Sequence, residues 1–314
     1  MTDGPIPAST SIGFIDGAFM PLADLQLPVS DLGFQLSDVC YDTVHVWDGA
    51  FFRLPDHLDR WERSVAARRF DSLPYDREGV AEVLHDCVAR TDLREAMVTV
   101  VATRGSPTGP HKDLRTCRNR LLAWAQPYYS VVSERGMIEG CDIIVSETRR
   151  IPPGAVDPTV KNFGRLDFVA ALFEAYDRNA SYALLVDGEG HVTEGRGWNL
   201  FTLHGGRLTS PGSGVLEGIT RRTVLELAEQ LNIDTELTPV PVEAVRSADE
   251  VFLTSTAGGI VPVRSVDAAP IADGCPGPVT ARLRELYWAL HDDPGYRTEV
   301  HYSAAGKTEP TARP

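Results

Sequence analysis

Lysine is almost missing from this 314-residue chain. Only Lys112, Lys161 and Lys307 are present, and every other basic residue is arginine. Lysine and arginine together number 30 against 44 aspartates and glutamates, a formal net charge of −14. That balance argues against a nucleic-acid-binding surface and against a polybasic membrane patch, since both need clustered positive charge. A small anion held in a locally positive pocket stays compatible with it. No apolar run reaches the ~18 residues of a transmembrane helix. The opening MTDGPIPASTSIG lacks the basic-then-apolar order of a signal peptide. The five cysteines, Cys40, Cys87, Cys117, Cys141 and Cys275, are scattered, with no CxxC pair and no metal-ligand spacing. Free thiols in a reducing cytoplasm are expected, and no metal. The motifs GxxxxGK[ST], HExxH and GxSxG are absent as well.

What is present reads as a soluble globular protein, with 43% hydrophobic and 24% charged residues. Its length suits two domains, or one large and one small. SIGFIDG and AFMPLADLQLP suggest a hairpin, and YDTVHVWDG a strand turning into AFFRL. Asp56 is placed to cap a helix running through Ser64, with Leu58, Trp61 and Val65 at helical spacing. A second helix is expected near Glu78 to Ala89. REAMVTVVATRG and RLLAWAQPY read as strands, the latter stopping at Pro127. YYSVVSERGMIEG looks like a crossover between halves, and CDIIVSETRR opens the second half as a strand. The helix RLDFVAALFEAYDRN carries Leu166, Ala170, Phe173 and Tyr176 on one stripe, with Asn179 as a left-handed C-cap. SYALLVD, HVTEG, WNLFTL and EVFLTSTAGGIVPV supply further strands. TRRTVLELAEQLN and ARLRELYWALHDD supply helices. Strands and helices mix without a regular βαβ alternation, so the expected class is α+β.

A coding bias that replaces surface lysine by arginine gives the surviving lysines added meaning. Arginine stays protonated, whereas lysine loses its proton when desolvated and acts as an amine nucleophile. Lys112 lies in the loop GSPTGPHKD and Lys307 in the tail. Lys161 sits between the turn IPPGAVDP and an amphipathic helix, the setting that suits a reactive amine best. Gly212, Gly214 and Gly218 come close to a dinucleotide fingerprint, but the last gap is one residue too long and no βαβ unit surrounds it. They lead into a helix beginning near Ile219 and Thr220. That start is either a phosphate cradle of free N–H groups or a plain N-cap by Thr220. Thr254 to Gly259 is either a second anion cradle or a polar turn. Arg60 is either a third phosphate contact or part of a solvated helix face. Glu194, in HVTEGRGWN, is either exposed or buried against a positive partner such as a protonated ring nitrogen. A reactive lysine, an acid for a ring nitrogen and two or three phosphate cradles are together the parts that pyridoxal 5′-phosphate requires.

With those residues in view, the chain resembles the class IV aminotransferases, the fold-type IV pyridoxal-phosphate enzymes. These include branched-chain and D-amino-acid aminotransferases and (R)-selective amine transaminases. VDPTVKNFGRLDFVAALFEAYDRNA, VTEGRGWNLFTL, GVLEGITRRTVLELA and FLTSTAGGIVPV carry the resemblance, in the family's order, with FFRLPDHLDRWERS upstream. The similarity spans about residues 12–302, and GPVTARLRELYWALHDDPGY looks most like the (R)-amine branch. The resemblance implies a small N-terminal α/β domain over 1–128, a linker over 129–138, a larger pseudobarrel domain over 139–302 and an unstructured tail over 303–314. It implies a homodimer whose active sites lie near the interface. Carried over by residue, it makes Lys161 the catalytic lysine that bonds to the cofactor, and Glu194 the partner of the pyridine nitrogen. Arg60, the amides of Ile219 and Thr220, and Thr256 hold the phosphate, and Leu216 packs against the ring.

Tyr41, Thr43, His45, Met97, Thr99, Ser255 and Ala257 are the expected substrate contacts, and several depart from the family pattern. Branched-chain and D-amino-acid enzymes tend to place Arg or Lys where His45 stands. Branched-chain enzymes have Tyr and Arg where Met97 and Thr99 stand. The loop before Asp113 lacks an arginine that some (R)-amine transaminases use, leaving His111 or Lys112 as substitutes. The expected activity is transfer of an amino group from an (R)-amine or D-amino acid to a keto acid such as pyruvate, by a ping-pong mechanism through Lys161. A branched-chain L-amino-acid aminotransferase, an aminodeoxychorismate-type lyase of the same fold, and a cofactor-free binding protein are the alternatives.

Overall fold

The computed structural model describes residues 10–272 and 276–302. Cys275 and the tail from 303 onward, expected to be unstructured, lie outside the described residues. Two sheets organise the chain. The first contains β1 (Ile12–Ile15), β2 (Ala18–Pro21), β3 (Val39–Trp47), β4 (Ala50–Phe52), β5 (Ala96–Thr103), β6 (Arg120–Pro127) and β18 (Arg297–Glu299), in the order β18-β4-β3-β5-β6-β1-β2. β5 reads AMVTVVAT and is buried along its whole length, as a central strand rich in β-branched residues should be. Helix α1 (Leu32–Leu36) precedes β3, and α2 (Leu54–Ala67) and α3 (Arg77–Ala89) cover one face of the sheet. Leu58 and Trp61 of α2 and Val80, Leu84 and Val88 of α3 pack on Val44, Val98 and Val100. α2 starts two residues before the expected cap. Arg53 takes the N-cap position with φ 56°, and Pro55 occupies the first turn. Asp56 instead accepts hydrogen bonds from Arg53 at 2.6 Å and Arg222 at 2.7 Å.

The second sheet contains β7 (Cys141–Arg149), β8 (Tyr182–Val186), β9 (His191–Val192), β10 (Glu194–Gly195), β11 (Trp198–His204), β12 (Arg207–Pro211), β13 (Asp234–Thr238), β14 (Val240–Pro241), β15 (Glu250–Ser255), β16 (Gly259–Val266) and β17 (Ala269–Pro270). Its main path runs β13-β12-β11-β15-β16-β7-β8-β9-β14. The two end strands of that path, β13 and β14, are separated in the chain by Pro239 alone. A sheet whose opposite ends are joined by one residue must roll up, so this one forms a nearly closed barrel. Helices α4 (Glu134–Glu139), α5 (Leu166–Asp177), α6 (Ile219–Gln230), α7 (Val242–Arg246) and α8 (Pro278–Ala289) belong to this half. The whole is the α+β fold expected of a fold-type IV enzyme. No helix among the described residues is long and apolar enough to cross a membrane.

Two features depart from the expectations. β18 comes from the far end of the 139–302 segment yet pairs with β4 in the first sheet. And the stripe chosen on α5 faces outward: Leu166 is 81% exposed, Phe173 64% and Tyr176 55%. The helix packs on Ile144, Ala183 and Leu185 through Phe168, Ala171 and Ala175 instead. α5 is apolar on both sides, and the face bearing small residues allows the closer approach to the sheet.

The N-terminus of α8 is tied to the barrel by Glu250, whose buried carboxylate accepts from Val279 N at 3.0 Å, Thr280 N at 2.7 Å and Thr280 Oγ1 at 2.6 Å. α8 in turn packs Leu283 and Tyr287 on Val224 and Leu227 of α6. Glu250→Ala should therefore destabilise the protein by about 3 kcal/mol, the loss of charge-assisted bonds at buried donors. Urea unfolding measures it, and an unchanged midpoint would mean the anchor contributes nothing.

Candidate active site

A cleft of about 390 Å³, including its open mouth, lies between the two sheets. Arg60 of α2, Lys161, Arg165, Glu194, Leu216, Ile219, Thr220, Ser255 and Thr256 line it. Residues from distant stretches of sequence thus meet in one place.

Lys161 is held through its main chain. Its N–H donates to Ser64 Oγ of α2 at 3.2 Å, and its carbonyl accepts from Tyr41 N of β3 at 3.0 Å. The side chain stays free to reach into the cleft, with Nζ 4.7 Å from the centroid of the Tyr41 ring. Burial pushes the amine below its ordinary lysine value; Arg60 and Arg165 act in the same sense, while Tyr41 and Asp42 oppose them. A larger neutral fraction near pH 7 is what a nucleophilic amine needs. Tyr41 responds in kind: burial would raise its phenol, but Lys161, Arg165 and Arg60 together hold it below its ordinary value.

Arg60 is 3% exposed, which rules out the solvated helix face. Its Nε and Nη2 donate to the two oxygens of Asp42, each at 2.8 Å, and Nη1 donates to the Glu217 carbonyl at 3.2 Å. Asp42 also accepts from His57 Nδ1 at 2.8 Å. Burial alone would raise the Asp42 carboxyl, but the Arg60 cation and the hydrogen bonds from Arg60 and His57 hold it well below the ordinary carboxylate range. The fork of Arg60 is thereby fixed beside the start of α6.

That start has no side-chain cap. Gly218 occupies the N-cap position, so Thr220 lies inside the helix, and the first-turn N–H groups have no intrahelical acceptors. A Cβ on Gly218 would stand 2.2 Å from Asn199 Oδ1, so only glycine fits the close approach. Gly259, at φ 68°, closes the neighbouring β15–β16 loop against the Tyr287 ring.

Glu194 and Asn199 face each other across a two-residue turn. The Glu194 carboxylate is buried and accepts from Leu216 N at 3.0 Å, Asn199 Nδ2 at 3.1 Å and Arg150 Nη2 at 3.4 Å. Arg150 is shared with Asp167, 2.6 Å from its Nη1. Burial pushes Glu194 above its ordinary value, against the pull of the Leu216 amide and of Arg150, Arg165 and Lys161. A cationic N–H placed beside it would relieve that burial. Trp198 Nε1 and Thr254 Oγ1 also border the cleft and are buried without a hydrogen-bond partner among the described residues.

Other predicted residues lie elsewhere. Thr43 and Thr99 bond through their hydroxyls at 3.0 Å, Met97 is buried, and Ala257 accepts from Val131 N at 2.8 Å. None of these lines the cleft. His45 is the clearest correction. It is 1% exposed, and its Nε2 lies 2.7 Å from His291 Nε2 within a cluster of Phe52, Tyr128 and Trp288. Burial, with His291 and His57 nearby, holds its imidazole well below the ordinary value, so it is neutral and turned toward the C-terminal segment. His111 and Lys112 are exposed, and Lys112 Nζ donates to Gln35 at 3.2 Å. Arg165, Arg150, Asn199 and Asp42 escaped the sequence reading. The two-residue turn in EGRGWN is the one signal that would have set Asn199 opposite Glu194.

Comparison with known proteins agrees with this geometry. The family model for class IV amino-transferases matches residues 39–266. A Methanocaldococcus jannaschii protein assigned as a branched-chain-amino-acid aminotransferase is 31% identical, over 87% of this chain and 94% of its own. The D-alanine aminotransferase of Listeria innocua is 30% identical, over 84% and 90%. The crystal structure of the branched-chain amino acid aminotransferase from Thermobaculum terrenum in its PLP-form superposes with a TM-score of 0.82 at 25% identity, covering 92% of this chain and 98% of that one.

Asp42→Asn should destabilise the protein by about 3–5 kcal/mol at pH 7, because it leaves Arg60 buried beside a neutral group. A depressed native pKa contributes stability that is present above the unfolded value of about 4 and is lost as pH falls through the native one. The gap to wild type should therefore narrow on acidification. Denaturant unfolding at several pH values measures both effects, and a gap that widens at low pH would contradict the assignment.

Proposed function

As the chain belongs to the class IV aminotransferase family and is a pyridoxal-phosphate-dependent transaminase, we propose that it moves an amino group from a D-amino acid or (R)-amine to a keto acid such as pyruvate. The cleft fits the cofactor. It offers free helix N–H groups and a fixed Arg60 for a phosphate, a buried Glu194 for a ring nitrogen, and unpartnered polar atoms on Trp198 and Thr254. Bound pyridoxal phosphate supplies an aldehyde for the incoming amine and a ring that delocalises the electron pair left when the C–H bond breaks. In this reading Arg60, the amides of Ile219 and Thr220, and Thr256 bind the phosphate, and Leu216 packs against the ring face. Glu194 keeps the ring nitrogen protonated. Lys161 would hold the cofactor through its amine, and the same amine is the group placed to take and return the proton at the amino-bearing carbon.

One observation carries the choice of donor. Among the described residues β3 and β5 bring no cation to the cleft: Thr43 and Thr99 satisfy each other, and His45 is neutral and committed to His291. A donor without a carboxylate needs no such cation. The resemblance to D-alanine aminotransferases supports the same choice. The similarity to branched-chain enzymes favours a second reading, a branched-chain L-amino-acid donor.

A homodimer is part of the proposal. The outward stripe of Leu166, Phe173 and Tyr176 is a contiguous apolar face of the kind that subunit contacts cover. The proposed compartment is the cytoplasm, supported by the free, buried thiols of Cys40, Cys87 and Cys117.

Lys161→Ala should lose the visible absorbance of the lysine-bound cofactor together with transamination, whereas Lys112→Ala keeps the absorbance. Retention of the band in Lys161→Ala would refute the assignment. Initial rates with D-alanine, (R)-1-phenylethylamine and L-leucine, each with pyruvate and with 2-oxoglutarate, test the donor. D-alanine or the amine should be fastest, and L-leucine with 2-oxoglutarate leading would establish the branched-chain reading instead.

A further inference from the structure

Three cationic side chains line the cleft. Arg60 is held by Asp42 and the Glu217 carbonyl and is assigned to the phosphate, and Lys161 is the amine. Arg165 is the third, and neither role above uses it. It stands at the N-cap of α5, four residues after Lys161, and is half-buried. Its Nε donates to the Asn162 carbonyl at 2.7 Å, which fixes the plane of the guanidinium. The two terminal nitrogens have no carboxylate partner among the described residues. Its Cζ lies 5.3 Å from the centroid of the Tyr41 ring, the same ring that Lys161 Nζ approaches at 4.7 Å.

We propose that Arg165 is the anchor for the carboxylate of the amino-acid and keto-acid substrates. The inference rests on the transaminase reading above. In an α-amino acid the carboxylate carbon and the amino nitrogen are bonded to the same carbon, so the anchor must stand close to the reacting amine. Arg165 meets that demand, flanking one ring together with Lys161. His45, His111 and Lys112 do not, being buried against His291 or exposed outside the cleft. The terminal nitrogens of a guanidinium also match the two oxygens of a carboxylate. β3 and β5 can therefore bring no charge to the cleft while the enzyme still accepts a keto acid.

The test compares wild-type holoenzyme with Arg165→Gln and Arg165→Lys. Propionate, an unreactive carboxylate, is titrated by calorimetry, and KM is measured for D-alanine and for (R)-1-phenylethylamine. Cofactor content, thermal midpoint and the pH at which the visible band titrates are recorded for each protein. Arg165→Gln should weaken propionate binding roughly ten- to a hundred-fold, as expected for loss of a charge-assisted contact. It should raise KM for D-alanine far more than for the amine. Arg165→Lys should recover part of the affinity while keeping the wild-type thermal midpoint. Unchanged propionate affinity in Arg165→Gln overturns the proposal. A shifted titration of the band with unchanged propionate affinity also overturns it, assigning Arg165 to the phenolic oxygen of the cofactor. A wild type that transfers no amino group yet loses propionate affinity on Arg165→Gln refutes the transaminase reading and upholds the carboxylate site.

Discussion

The buried pair of Asp42 and Arg60 is the constraint on which the cleft depends. An arginine 3% exposed is tolerable only if its charge is met and its fork satisfied, and Asp42 does both with two bonds of 2.8 Å. Once α2 is fixed in this way on β3, the same helix presents Ser64 to the main chain of Lys161. Further along, Arg53 holds Glu226 and Thr223, and Asp56 holds Arg222, so α2 is clamped to α6. One helix of the first sheet therefore sets the guanidinium, the lysine backbone and the orientation of the helix start in the barrel. The cleft belongs to neither sheet alone.

Its electrostatics run against the rest of the molecule. A chain of net charge −14 gathers Arg60, Lys161 and Arg165 around one cavity, with Glu194 as the buried counter-charge. Low dielectric displaces the two titrating groups in opposite directions. Burial makes the amine of Lys161 easier to deprotonate and the carboxyl of Glu194 harder to ionise. Each group thus favours its neutral form more than it would in water, and a ligand with a phosphate at one end and a basic ring nitrogen at the other complements both. The acidity of the outer surface says nothing about this local field.

Much of this was legible in the chain beforehand. The scarcity of lysine singled out Lys161, the four motifs named the family, and β5 and α6 follow directly from β-branched and 3.6-residue patterns. The rest depends on tertiary partners. α5 carries apolar residues on both sides, so periodicity does not decide which side meets the sheet. The helix packs through Phe168, Ala171 and Ala175 because small residues let it sit closer. His45 shares a strand face with Tyr41, yet its ring is captured by His291, a residue 246 positions away. Arg150 lies 44 positions from Glu194, and only the barrel brings them together. Arg165 carries no signal in the sequence, since an arginine opening a helix is ordinary until its partners are seen to be missing.

The C-terminal strand carries one more implication. β18 pairs with β4, Val300 joins the core beneath it, and Tyr296 accepts the Arg53 amide just before α2 begins. The first sheet therefore lacks an edge strand and part of its hydrophobic floor until residues 297–300 have been synthesised. During vectorial translation the N-terminal half emerges early but waits for residues near 300 before it can finish folding. The barrel, whose closure needs only residues 141–266, can be complete first. Order of synthesis and order of consolidation can thereby be reversed in this protein, and a chain ended near residue 290 would lack the strand that completes the first sheet.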